Sequence, residues 1–298
     1  MKKAYLFLFA ILLGVFAVLT AMDFRGNYAS ERTLWRINNV FAKAARDPKI
    51  IPEATFIRIV NQYEQFIKDY PDSTLLPVAH ILIGRVYMIK KEFGKARDIY
   101  EEVVKLYHDK PNIAVEVVAD IGRTYALEEN VNGVIGNYKR VIQDYPTTQI
   151  GLQAPILLTK LYSVRGDSVR TEEAYKQAVE HYKKLINDNP NDRIEFDALR
   201  SLGTLYLTAN QKRKAVETFG KVLVKFPQRE YLTSNRVTTL IKTINTVAIV
   251  DLKDYDLPVS IYEEFIKVHP DHPFVSSFKD IIESVKLLKD SKLTIDGK

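Results

Sequence analysis

A self-similar unit returns every 37 to 44 residues along this chain of 298 residues, and aromatic side chains mark it most clearly. The markers are Tyr63, Tyr100, Tyr138, Tyr182, Phe219 and Tyr262. Eight residues after five of the six markers stands a proline, at positions 71, 146, 190, 227 and 270. Because proline cannot continue a helix, we expect each marker to lie on a helix that ends just before it. A period of this length indicates stacked structural repeats.

A second group of positions lies upstream of the markers, where a small residue precedes a tyrosine by three residues. The pairs are Gly84 and Tyr87, Gly122 and Tyr125, Thr159 and Tyr162, and Gly203 and Tyr206. Three residues is almost one helical turn, so a neighbouring helix can approach the small residue beside the ring. Each unit is therefore predicted to be a pair of helices.

The second helix of each pair shows the spacing of one buried stripe. Ala96, Tyr100 and Val103 stand at i, i+4 and i+7, and Ala215 and Phe219 begin the same series. The predicted repeat core is Gly84, Tyr87, Ala96, Tyr100, Gly122, Tyr125, Tyr138, Tyr162, Tyr182, Gly203, Tyr206, Ala215, Phe219 and Tyr262. The alternative, a tyrosine platform that stacks on sugars or bases, is disfavoured by the helical spacing.

This pattern resembles the tetratricopeptide repeat, which places Gly and Tyr on its first helix and Ala, an aromatic residue and Pro on its second. Residues 77–110, 115–148 and 196–229 match it without insertion. The unit that begins near Leu152 has seven extra residues, which we place in its inter-helix loop between Ser163 and Lys176. The resemblance implies an all-α, right-handed superhelical solenoid of about five to six helix pairs over residues 53–273, followed by a capping helix and tail in 274–298.

The start of the chain predicts contact with a membrane. Residues 4–22 carry no charge and follow Lys2 and Lys3, an order that keeps the N-terminus in the cytoplasm and exports the rest. We expect residues 1–22 to be an uncleaved hydrophobic helix that anchors a periplasmic domain; cleavage after Ala21 is the alternative and would release that domain. Residues 23–52 are predicted to form a spacer and a first amphipathic helix around Trp35.

Four basic residues are the predicted binding site. Arg85, Arg123, Lys160 and Arg200 occur on successive first helices, next to or near the small residue. On stacked repeats they would form a ladder for acidic side chains, a terminal carboxylate or an anionic polymer. The alternative is an ordinary solvated helix face, neutralised by Glu116, Glu195 and Asp197.

Motifs for chemistry are missing from the sequence. Without cysteine, disulfides, thiol nucleophiles and cysteine-ligated metals are excluded. The run from His269 to Pro273 contains two histidines, but its two prolines favour a loop that terminates a helix over a metal site. We expect no enzyme activity and no cofactor. The net charge of +6 is spread along the chain, so nucleic acid is not an expected partner.

The run from Tyr63 to Ser73, followed by Ala79 and Gly84, is similar to bacterial envelope repeat proteins. These include the lipoprotein of the outer-membrane β-barrel assembly machinery, whose anchoring cysteine this chain lacks, and the coordinator of the Tol-Pal system. The similarity implies a scaffold that docks other envelope proteins or peptide segments, acidic ones included. A receptor for an anionic cell-wall polymer or lipid headgroup is the alternative, and a helical accessory of a wall-cleaving enzyme is a more distant one.

Overall fold

A computed structural model describes residues 13–14, 27–49, 52–228 and 230–296, and all its regular elements in these ranges are helical. The helices are α1 (Asn27–Arg46), α2 (Glu53–Asp69), α3 (Leu76–Ile89), α4 (Phe93–Leu106), α5 (Pro111–Leu127), α6 (Val131–Asp144), α7 (Gln149–Val164), α8 (Ser168–Asp188), α9 (Arg193–Thr208), α10 (Lys212–Lys225), α11 (Ser234–Asn245) with a π-helical continuation (Thr246–Asp251), α12 (Asp256–Val268) and α13 (Val275–Asp296).

The predicted membrane segment, residues 4–22, lies outside the described residues except for positions 13 and 14. Within the described ranges, none of the helices combines the length and the apolar character that crossing a bilayer requires.

The chain divides into two compact units, Met1–Val141 and Ile142–Lys298. In the first unit each of α1 to α4 packs against the next helix, while α1 also contacts α3 and α3 contacts α5. In the second unit α7 to α10 pack in the same succession, α7 also contacts α9, and α12 packs on both α10 and α13. Contacts between alternate helices stack one pair on the next. Because α1 takes part in them, it is the first helix of the first pair.

A glycine on the first helix lets an aromatic ring of the second helix lie directly on its backbone. A Cβ built on Gly84 would stand 2.3 Å from Cε1 of Tyr100, and one on Gly203 would stand 2.6 Å from Cε1 of Phe219. No real side chain tolerates such distances, so these two pairs depend on glycine. The buried members of the predicted core are Gly84, Ala96, Tyr100, Tyr162, Tyr182, Gly203, Tyr206, Ala215, Phe219 and Tyr262.

The pair formed by α5 and α6 departs from the prediction. Gly122 faces the buried Asn137, whose Nδ2 would lie 2.5 Å from an added Cβ, while Tyr138 is only half-buried. The reason lies at Gly133 of α6, where an added Cβ would stand 2.4 Å from the ring of Tyr125. This second close approach sets a different register for α6. Tyr87, Tyr125 and Gly122 are likewise half-buried at the edge of the core.

The turns between the two helices of a pair share one geometry. Two residues after the first helix stands a residue with positive φ, namely Lys91 at 64°, Glu129 at 57°, Gly166 at 73° and Asn210 at 55°. The following amide donates to the carbonyl of the repeat tyrosine, at 3.0 Å for Tyr87, 2.9 Å for Tyr125, 3.1 Å for Tyr162 and 2.8 Å for Tyr206. This is a Schellman closure, which satisfies the last carbonyls of the helix.

The seven extra residues of the pair α7–α8 lie in the second helix and not in the inter-helix loop, which corrects the prediction. The turn at Gly166 has the usual length, whereas α8 has 21 residues against 14 in α4 and α10. Seven residues make almost two helical turns, so the stripe stays on one face. Tyr182 consequently lies two turns beyond Tyr175, and its hydroxyl donates to the carbonyl of Leu152, 2.5 Å away.

The two histidines between α12 and α13 close the end of α10. Nε2 of His269 donates to the carbonyl of Val224 at 2.7 Å, and Nε2 of His272 donates to that of Pro227 at 3.1 Å. Nδ1 of His272 accepts from the amide of Phe274 at 3.2 Å. The described residues contain no cluster of three side chains suited to holding a metal ion. These imidazoles cap a helix, in agreement with the predicted terminating loop.

The C-terminal helices end the second unit. The first of them, α11, starts at Ser234 and changes to π geometry at Thr246. Pro258 lies in the first turn of α12, a position that proline favours. The final helix packs on α12 through Phe278, whose ring stacks on Tyr262 with 5.1 Å between the ring centroids.

We expect Gly84→Ala to destabilise the protein by about 1–3 kcal/mol, because the new methyl group overlaps the rigid ring of Tyr100. Gly136→Ala is the matched control, since a Cβ at this site inside α6 would have no other part of the described chain within 4 Å, apart from the backbone of its own helix. It should stabilise the chain by about 0.5–1 kcal/mol through helix propensity. Urea denaturation followed by circular dichroism measures both changes, and equal effects would contradict the proposed contact.

Removing hydroxyls from two buried tyrosines should give different results. Tyr100 Oη has no hydrogen-bond partner of normal geometry among the described residues, whereas Tyr262 Oη donates to Asn245 Oδ1 at 2.7 Å. We expect Tyr100→Phe to change the free energy of unfolding by less than about 0.5 kcal/mol and Tyr262→Phe to lower it by about 1 kcal/mol.

Tyr100→Ala should lower the free energy of unfolding by about 3–5 kcal/mol, because the whole ring is buried. Chemical denaturation tests the series, and a small loss for Tyr100→Ala would refute the core assignment.

Candidate functional site

Two of the four predicted basic residues meet at one buried carboxylate. Nε of Arg85, on α3, lies 2.9 Å from Oδ2 of Asp120, and Nη1 of Arg123, on α5, lies 2.6 Å from Oδ1 of the same residue. The Asp120 side chain is 3% exposed, whereas those of Arg85 and Arg123 are 41% and 56% exposed. One carboxylate thus links consecutive first helices and orients two guanidinium groups that both reach the solvent.

Arg85 remains charged over the whole physiological range of pH. Burial lowers the pKa of Arg85, but the charge of Asp120 and its hydrogen bond outweigh this effect and leave the pKa raised. Asp120 uses one nitrogen of each guanidinium, so both arginines keep donor groups for a further anion. Two guanidinium groups and one carboxylate carry a charge of +1, while the exposed Glu116 lies close to Arg85.

Asp120 was missed in the sequence, where Glu116 was named as the neutralising residue. A signal for it exists, because Asp120 precedes Arg123 by three residues and therefore shares its helix face. Its burial could not be read from the sequence, since it depends on the approach of α3 to α5. Sequence spacing indicated which arginines share a face, and the packing shows that Asp120 holds the guanidinium groups of Arg85 and Arg123 in place.

The other two predicted basic residues lie in the second unit. Lys160 is exposed on α7 and forms no ion pair with any residue that the structure describes. Arg200 on α9 lies 3.3 Å from Oδ1 of Asp197, and its guanidinium group stands 5.4 Å from the ring centroid of Phe196. Asp197 therefore neutralises this position, as the alternative interpretation expected.

Glu195 has a different role from the solvated one that the sequence suggested. Its carboxylate is buried, accepts from the amide of Asn191 at 2.6 Å and lies 2.5 Å from Nζ of Lys225. It stands in the first turn of α9, whose N-cap is Asp192. A carboxylate here completes the hydrogen bonds of the helix start, so Glu195 is a capping residue.

Glu195 also lies at the edge of a groove of about 530 Å³ between α8, α9 and α10. Its lining includes the apolar side chains of Leu199, Leu202 and Tyr206, the basic side chains of Lys183 and Lys221 and the acidic side chain of Glu264. Neither of these two lysines forms an ion pair with another described residue. The groove therefore combines an apolar surface with charged side chains of both signs, which suits a segment that has apolar and charged residues side by side.

The sequence comparisons agree with this architecture. Residues 78–109 and residues 197–229 each match the family profile described as tetratricopeptide repeat. The chain contains tetratricopeptide repeats. The matched stretches cover the pairs α3–α4 and α9–α10, the two in which a ring packs on the glycine sixteen residues before it. Tetratricopeptide repeats generally mediate contacts between proteins. No curated protein sequence matches the chain significantly.

Solved tetratricopeptide structures are similar to the chain at low sequence identity. TTC0263 of Thermus thermophilus is 16% identical with a TM-score of 0.35, and the match covers 71% of this chain and 99% of that one. The TPR2AB domain of yeast Sti1, solved in complex with pHSP90, is 13% identical with a TM-score of 0.34, covering 88% and 100%. YrrB, described as having an unusual peptide-binding site, is 12% identical with a TM-score of 0.33, covering 73% and 97%. With TM-scores this low, we transfer no binding residue from them.

The Asp120→Asn substitution tests whether this carboxylate holds the arginine pair. It removes the buried charge that both guanidinium groups contact, and we expect a loss of about 1–3 kcal/mol in the free energy of unfolding. Asp197→Asn is the control, because its ion pairs with Arg193 and Arg200 are more exposed and should be worth less than about 1 kcal/mol. Both values come from urea denaturation, and equal losses would show that burial of Asp120 adds nothing.

Proposed function

We propose that this chain is a non-catalytic scaffold that binds acidic segments of other proteins through the exposed face around Arg85 and Arg123. One observation carries the proposal: two consecutive first helices present guanidinium groups that a single buried carboxylate holds in place. An arginine oriented in advance loses less side-chain entropy when a carboxylate binds it. The matches to a repeat family whose members bind proteins support this function.

We also propose a cellular location for this chain. The uncharged residues 4–22, preceded by Lys2 and Lys3, favour a chain anchored in a bacterial inner membrane with its repeats in the periplasm. Such a position suits an adaptor in envelope assembly or secretion. An anionic cell-wall polymer would contact the same guanidinium groups, and a receptor for such a polymer is the second candidate.

An in-cell crosslink tests this function. A photoreactive amino acid at position 127 replaces the exposed Leu127, which follows Arg123 by one turn of α5 and leaves both arginines in place. We expect one envelope protein to be captured, and we expect Arg85→Glu/Arg123→Glu to reduce the adduct at least about tenfold, since the charge pairs become repulsive. Mass spectrometry identifies the adduct, and circular dichroism checks folding.

Lys267→Glu/Lys279→Glu is the control, because it changes the net charge equally at two exposed helix positions of the second unit that form no ion pair with a described residue. Its adduct should match that of the unaltered protein. An adduct that survives the arginine reversal would rule out this face as the site. Capture of glycan alone, lost steeply as salt is raised, would replace the protein scaffold by the polymer receptor.

A further inference from the structure

The outward side of α1 is both basic and aromatic. Its inward stripe, Leu34, Ile37, Phe41 and Ala44, is buried against the helices that follow. The opposite side carries residues that recur at intervals of three and four and thus share one face. We call this surface the basic-aromatic face; it consists of Tyr28, Arg32, Trp35, Arg36, Lys43 and Arg46.

The two aromatic side chains of this face are unusually exposed for their size. Trp35 is 65% and Tyr28 is 64% exposed. Tyrosine and tryptophan, which are apolar with one polar atom, are the residues that concentrate at the boundary between lipid chains and water. Trp35 is also the only tryptophan in the chain.

The charge of the face is strongly positive. It holds four basic side chains, while Glu31 is the one acidic residue of α1. None of the four forms an ion pair with another residue in the described part of the chain. Lys43 and Arg46 in the last turn also interact favourably with the helix dipole, but Arg32 and Arg36 lie too far from that end to do so. The charges of Arg32 and Arg36 thus have no ion-pair partner in the part of the chain that the structure describes, and they are available to an anionic surface.

Covalent distance places the face near the predicted anchor. Met22 ends the uncharged run and Tyr28 follows six residues later. At about 3.5 Å for each extended residue, the start of α1 lies within roughly 20 Å of the end of that run. A basic helix with exposed aromatic rings, held this close to a bilayer, has the composition of helices that lie in the headgroup region.

We propose that the basic-aromatic face lies on the surface of a bilayer that contains anionic lipids. Its arginines contact the headgroup phosphates, and Trp35 enters the boundary with the acyl chains. The contact fixes the first pair of repeats against the membrane instead of leaving it on a free tether. This role goes beyond the scaffold function proposed above, and it concerns a different surface from that of Arg85 and Arg123.

Because Trp35 is the only tryptophan, its fluorescence reports on this face alone. The experiment uses the full chain reconstituted into vesicles of phosphatidylcholine, with or without phosphatidylglycerol, whose acyl chains carry bromine as a quencher. We expect a blue shift and quenching of the emission in the vesicles with phosphatidylglycerol, and little change in phosphatidylcholine alone. Raising the salt from about 0.1 M to 1 M should reverse both effects, since the Debye length falls from about 10 Å to 3 Å.

Arg32→Glu/Arg36→Glu should abolish the shift and the quenching while the protein still sediments with the vesicles, and circular dichroism confirms its helicity. Lys267→Glu/Lys279→Glu alters the net charge by the same amount and should leave the signal of Trp35 intact. Equal quenching in both kinds of vesicle would overturn the role of anionic lipid. An unshifted and unquenched Trp35 in every vesicle, or a protein that binds no vesicles, would overturn the proposal altogether.

Discussion

Gly84 and Gly203 carry no Cβ atom, and this allows the close contact between helix backbone and aromatic ring on which the pairs α3–α4 and α9–α10 depend. Without a Cβ there, the rings of Tyr100 and Phe219 lie on the backbone of the preceding first helix. The close approach buries both rings and fixes the rotation of each first helix. Since successive residues turn by about 100° around a helix, a residue that follows an inward glycine points sideways and remains partly in water. Arg85 has this position, so the packing of the core also sets the exposure of the candidate binding residue.

Each unit contains a buried carboxylate, Asp120 in the first and Glu195 in the second, and the two have different structural roles. A buried charge needs a partner, because desolvation without one costs several kcal/mol. In the first unit Asp120 meets this need with two half-exposed arginines, which it holds at the surface. In the second unit Glu195 meets it with Lys225 and with an amide ahead of α9, and so secures a helix start. The first arrangement offers donors to a partner, whereas the second uses its donors within the fold.

The errors of the sequence interpretation have physical causes. Seven inserted residues equal almost two turns, so the buried stripe keeps its phase whether the insertion lengthens a helix or a loop. Only the turn at Gly166, which has the usual length, shows that α8 is the longer element. The marker Tyr138 is only half-buried because the close approach at Gly133 changes the register of α6 and turns Asn137 towards Gly122. An interaction between two helices decides that register, and no single-helix pattern contains it.

The sequence by itself determined the class of the fold, the pairing of helices, most of the buried rings and the helix ends before proline, because these follow from local periodicity and local backbone chemistry. It also determined that residues 4–22 are uncharged and that basic residues recur on first helices. The tertiary structure decided which of those basic residues come together, since Arg85 and Arg123 meet only where α3 and α5 enclose Asp120. It decided as well that one side of α1 is buried and the other left open, because burial depends on neighbours that are distant in sequence.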